Sequence, residues 1–162
     1  MTRIFTSNDF TLMPWKNGGG VTEELLRIPD PQNPADFVLR FSVAKIESAG
    51  PFSLFPGVDR LLAILSGAGI KLDGRPFTPI DAPLAFAGET AHYCELIQGS
   101  VQDFNVMIKR SWGSVSATAS DGDERFLYWK DLHELWWLES QEPWPQFETT
   151  KAIAVTIKRS FL

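Results

Sequence analysis

The chain's apolar residues come in short runs, each closed by a turn former, and long amphipathic helices are therefore hard to fit to it. Twelve glycines and eleven prolines supply much of that punctuation in 162 residues. The runs lie at 37–43 (FVLRFSV), 60–65 (RLLAIL), 70–72, 83–86, 93–98, 104–109 (FNVMIK) and 152–158 (AIAVTIK). Each has strand length and is rich in β-branched or aromatic residues, with Gly, Pro, Asp or Ser between runs. Ser66-Gly67 and Asp73-Gly74 read as turns. Closely spaced strands of this kind predict an antiparallel, all-β sandwich or barrel. Helix is scarce, and residues 129–140 (WKDLHELWWLES) read either as a helix or as two short strands, since Trp and Leu suit both.

Composition narrows the function classes. A chain of this length can bury a sizeable core without staples. The lone Cys94 excludes an internal disulfide and a multi-cysteine zinc site. A formal charge of −5 argues against a nucleic-acid partner. The first ten residues lack the basic-then-apolar pattern of a signal peptide, and no stretch is apolar enough to span a membrane. A cytoplasmic protein is expected, with no membrane partner. Residues 30–36 (DPQNPAD) read as a loop, and 111–123 mark a shift in composition. Five of the six tryptophans follow Ser111. The whole chain, 1–162, reads as a single domain, with a first barrel over about 1–110 and a smaller β unit over about 111–162.

Three local strings could carry chemistry. The first is residues 13–20 (MPWKNGGG). Trp15 offers a flat apolar wall, Lys16 a cation, Asn17 a donor and an acceptor, and the glycines allow close backbone approach. The same string also reads as a plain glycine-rich turn. It is not a phosphate loop, because Lys16 precedes the glycines. The second is Asp59-Arg60 at the head of an apolar run. Arg60 is either a solvated ion-pair partner or a guanidinium fork at a barrel mouth, able to bind a carboxylate bidentately. The third is residues 103–107 (DFNVM). On a strand Asp103 and Asn105 share one face, opposite Phe104 and Val106, and would line a pocket if that face is inward.

Other chemistry is weakly supported. His92 and Cys94 together supply too few zinc ligands. His133-Glu134 opens like a metalloprotease motif, but Trp137 stands where the second histidine belongs. No G-x-S-x-G occurs. No metal or other cofactor is expected.

Residues 14–20 (PWKNGGG) with Thr22-Glu23-Glu24, then FSVA at 41–44, GPFS at 50–53, FPGVDR at 55–60, FAGE at 86–89 and DFNVM at 103–107, together resemble the HutD/Ves family. The resemblance implies a cupin-like (RmlC-like jelly roll) β-barrel in a bicupin arrangement, here with a shortened second unit. It also implies a bacterial protein associated with histidine utilisation or stress response, binding a small carboxylate such as formylglutamate or urocanate. Set against the general cupin metal pattern, Arg60 falls at the glutamate position and the histidine positions hold no ligand. An arginine in place of a carboxylate turns a cation cavity into an anion cavity. The expected ligand-binding residues are thus Trp15, Lys16, Asn17, Arg60, Asp103 and Asn105. A metal-independent binding protein of regulatory role is the first reading. A metal-independent hydrolase, isomerase or lyase, with Asp103 or Asp59 as general base, is the alternative. A homodimer through sheet edges is a further expectation.

Overall fold

The computed structural model describes residues 1–160, and among them there is no helix. The strands are β1 (Arg3–Phe5), β2 (Thr11–Pro14), β3 (Gly20–Pro29), β4 (Phe37–Ile46), β5 (Gly50–Pro51), β6 (Val58–Ser66), β7 (Ile70–Leu72) and β8 (Arg75–Phe77). They continue with β9 (Leu84–Ala87), β10 (Tyr93–Leu96), β11 (Val101–Lys109), β12 (Gly113–Ser116), β13 (Glu124–Trp129), β14 (Glu134–Leu138) and β15 (Ala152–Arg159). All the strand-length runs of the sequence are strands, and the Asp73-Gly74 turn joins β7 to β8 with both residues at positive φ.

The strands form three antiparallel sheets. The six-stranded one has the order β2-β3-β4-β11-β6-β9. Its period-2 alternation sends side chains to two different cores. One face presents Leu39, Phe41, Val43, Leu61, Ala63, Phe104, Val106 and Ile108 to Phe126, Tyr128, Leu135, Ile153, Val155 and Ile157. Those partners come from the five-stranded sheet, ordered β1-β14-β13-β15-β12. Phe104 stacks on Tyr128 with ring centroids 4.8 Å apart, and Phe41 meets Phe126 at 4.5 Å. On the other face Ile46, Leu62 and Ile64 pack with Ile70, Leu72, Phe77 and Cys94. These four partners lie on the four-stranded sheet β5-β10-β7-β8. No helix among the described residues is long and apolar enough to cross a membrane.

Residues 129–140 fold as strand, turn, strand, not as a helix. In the β13–β14 register Leu135 faces Tyr128 and Trp137 faces Phe126, toward the main core. Trp136 opposes Leu127 on the outer face, where Trp129, Trp144 and Phe147 cover it. With aromatics on both faces, the alternation that marks a strand is hidden.

The ten-residue strand β3 has no counterpart in the sequence reading. A bulge explains it: Glu24 pairs with Ser42, Leu26 pairs with Phe41, and Leu25 is the extra residue between them. Leu25 and Leu26 both reach the main core, which breaks the period-2 pattern. The N-terminal β1 pairs with β14, so the first residues of the chain join the sheet built mostly from the last fifty.

Candidate functional site

Residues 13–20 are both of the things the sequence allowed, a tight turn and a cavity wall. Pro14 ends β2 and Gly20 begins β3. The Trp15 amide donates to the Gly20 carbonyl (2.9 Å) and the Gly18 amide to the Trp15 carbonyl (3.1 Å). Gly18 has a φ of 72°, a conformation glycine adopts without strain. Asn17 Oδ1 accepts the Gly19 amide at 2.8 Å, so its acceptor is spent on shaping the turn. Trp15 Nε1 donates to Thr22 Oγ1 at 2.7 Å, fixing the indole over the start of β3. A side chain on Gly20 would collide with the Lys45 carbonyl oxygen and the Trp15 ring. Gly20→Ala is therefore expected to destabilise the fold by about 1–3 kcal/mol, read as a lower unfolding midpoint in urea. An unchanged midpoint would show that the turn is free to shift.

Behind this turn lies a cavity of about 670 Å³. The turn, the 48–55 segment, Cys94 of β10 and the polar face of the six-stranded sheet enclose it. That volume suits a small metabolite. All six residues singled out in the sequence, Trp15, Lys16, Asn17, Arg60, Asp103 and Asn105, line it. Topology brings them together, because β11 pairs with β6 on one side and β4 on the other. Asp103 and Asn105 thus share one face of the sheet with Arg60, opposite Phe104.

The floor of the cavity is charged and buried. Arg60, Asn105 and Asp103 are only 6%, 5% and 2% exposed. Arg60 Nη2 donates to Asn105 Oδ1 at 3.0 Å, while Arg60 Nε has no protein partner. The rings of Phe86, Phe52 and Phe55 stand 5.0, 5.3 and 5.5 Å from the guanidinium carbon. Such an aromatic box stabilises a cation without neutralising it. Burial lowers the Arg60 pKa to about 10, with Asp103 acting against the shift, so the guanidinium stays charged at neutral pH. Burial also drives the Asp103 carboxyl up to about 7, opposed chiefly by Arg60. Its Oδ1 has no hydrogen-bond partner.

Two other residues offered by the sequence lie elsewhere. Asp59 is not beside the Arg60 guanidinium. It pairs with Arg110 at 2.8 Å, and Arg110 also holds Glu89 at 2.7 Å. Successive strand residues point to opposite faces, so Asp59 and Arg60 must part. The Asp59 general base of the alternative reading is thereby removed. His92 turns away from the cavity: its Nδ1 lies 2.6 Å from Asp73, and its ring meets Phe86 edge-on. Among the described residues no three His, Cys, Asp or Glu side chains gather as a metal site requires.

One charged cavity residue escaped the sequence reading. Arg40 of β4 lines the cavity and is held by Glu24 through Nε at 2.8 Å. Met107 lies opposite Arg40 on one side and Arg60 on the other, so the two arginines occupy one row across the sheet. The signal was the alternation in residues 37–43, which places Arg40 and Ser42 on the face opposite Leu39, Phe41 and Val43. The pairing that carries that row to Arg60 was not legible.

The HutD family model matches residues 7–144 of the chain. The chain belongs to the HutD family. An uncharacterized 21.2 kDa protein in the hutC 3' region of Pseudomonas putida is 43% identical over 111 residues, 65% of this chain and 57% of that protein. Protein Ves of Citrobacter koseri is 37% identical over 110 residues, 63% of this chain and 56% of that protein. The chain thus spans less than three fifths of the length of these curated relatives. The formate-condition structure of HutD from Pseudomonas fluorescens SBW25 superposes with a TM-score of 0.75 at 26% identity, covering 99% of this chain and all of that one. A conserved protein of unknown function from Pseudomonas aeruginosa PAO1 gives 0.69 at 25% identity, with coverage of 99% and 100%.

This HutD-family protein uses its motif blocks in two ways. Residues 14–20 and 103–107 supply cavity side chains. FPGVDR and FAGE mainly lock one end of the six-stranded sheet. The Gly88 amide donates to the Val58 carbonyl at 2.6 Å, and Glu89 accepts the Gly57 amide at 3.0 Å. From those blocks Phe55 and Phe86 turn toward the Arg60 guanidinium.

Proposed function

We propose that this HutD-family protein binds a small carboxylate in its cavity, without a metal, and serves a regulatory role in histidine utilisation or stress response. The observation that carries the reading is Arg60. A buried arginine, whose hydrogen bond goes to a neutral amide and whose Nε is unpartnered, is a poor arrangement unless an anion completes it. A carboxylate fits the planar fork. Trp15 would wall the ligand, Asn105 would orient Arg60, and Lys16, exposed at the rim, would steer the anion inward. Asn17 contributes through the turn that it caps. Formylglutamate- and urocanate-like acids match the cavity size and the family association.

The test is thermal unfolding with formate, glutamate, formylglutamate and urocanate, each beside its uncharged amide counterpart. A ligand that binds only the folded chain raises the melting temperature with concentration. Carboxylates should do so and amides should not. If no carboxylate shifts the transition, or amides shift it equally, the anion reading is wrong. Catalysis on the same acids is the second reading, favoured by the Asp103 carboxyl at about 7, a suitable value for a general acid or base. Product formation during incubation would select it.

A further inference from the structure

We propose that a carboxylate entering the cavity replaces Asp103 as the counter-ion of Arg60, so that each bound anion places one proton on Asp103. This rests on the carboxylate-binding reading above and deepens it.

A buried guanidinium requires one negative charge nearby. Asp103 is the buried carboxyl on the same cavity face, two residues before the amide that Arg60 contacts. Each influences the other's protonation across the cavity floor. Yet Arg60 bonds to Asn105, and both Arg60 Nε and Asp103 Oδ1 lack partners. Arg60 can therefore accept another anion without breaking a contact to Asp103. Like charges that share a buried site raise each other's pKa, so two carboxylates beside one buried cation do not both stay ionised. The ligand is an anion at neutral pH, so Asp103 takes the proton. Asp103 carboxylate, a proton from solvent and the ligand anion give neutral Asp103 beside the bound anion. The only bond formed is the O–H of Asp103, which can donate to the ligand.

The surroundings leave Asp103 as the group that responds. Its strand neighbours are Ala44 and Ile64, both uncharged. Cys94 of β10 is pushed up to about 11 and stays a thiol. Arg40 of β4 is tied to Glu24 of β3, and Lys16 lies at the exposed rim. Burial already holds Asp103 at about 7, and a bound anion raises it further. The sign follows: affinity is full below the free-state value and falls as pH rises above it, until the pKa of the complex is reached.

Calorimetry with formate and glutarate, from about pH 6 to about pH 9 in buffers of different ionisation heat, reads both affinity and protons. The wild type should take up about one proton per anion above neutrality and lose affinity about tenfold per pH unit. Asp103→Asn should show no uptake and a flat profile, and at the alkaline end should bind more tightly than wild type. A wild-type affinity that is flat across this range overturns the coupling and leaves anion binding intact. Proton uptake that persists in Asp103→Asn also overturns it. If the wild type binds neither anion at any pH, both readings fall. Should Asp103→Asn not fold, the wild-type proton count decides alone.

Discussion

Arg60→Ala is expected to bind the best carboxylate at least about 30-fold more weakly than the wild type, a loss of roughly 2–4 kcal/mol. The substitution removes the charged, two-pronged donor of the cavity floor, and a neutral water in its place carries no charge to meet the ligand. Asn105 and the three phenylalanine rings remain, but none of them carries a charge to meet the ligand. Arg60→Lys should recover only part of the affinity, because an ammonium cannot reproduce the planar fork. Lys16→Ala should cost less than either, since its ammonium sits in water at the rim. Isothermal calorimetry checks the order. An Arg60→Ala protein that binds as tightly as the wild type sinks the anion pocket. The alanine variant should stay folded, because Asp103 can take a proton once its cation is gone.

Phe104→Ala is expected to lose about 3–5 kcal/mol of stability. Phe104 is fully buried, stacks on Tyr128 and leans on Phe41, joining the six-stranded sheet to the five-stranded one. Removing the ring leaves a void between two sheets whose neighbours are themselves fully packed. Met107→Leu, on the cavity face of the same strand, keeps its volume and should cost less than about 1.5 kcal/mol. Urea unfolding of both variants measures the contrast. A loss of under about 1 kcal/mol for Phe104→Ala would mean that the two sheets hold together by other contacts.

The contrast between Phe104 and its neighbours was readable in residues 103–107. Strand geometry alone puts Asp103 and Asn105 on one face and Phe104 and Val106 on the other. Which face looks inward was not readable, and both do: one into the core, the other into the cavity. β3 was missed for a local reason, since the bulge at Leu25 sends Leu25 and Leu26 to the same core and destroys the alternation. Residues 129–140 were ambiguous because both faces of that hairpin are covered, the outer one by the Trp144 and Phe147 segment.

The all-β class, a glycine-rich string at residues 13–20 suited to a turn or a cavity wall, the identity of the acid, amide and guanidinium, and the family were all legible along the chain. These depend on residues close together in the chain, where side-chain period, turn chemistry and motif spacing act directly. That Arg60 pairs with Asn105 and not Asp59, that Arg40 shares its row, and that burial raises the Asp103 carboxyl to about 7 came from the packing of the sheets. Those facts depend on strands far apart in sequence lying side by side. Desolvation and Coulomb interaction depend on what surrounds a group in space, and neighbours along the chain do not specify that.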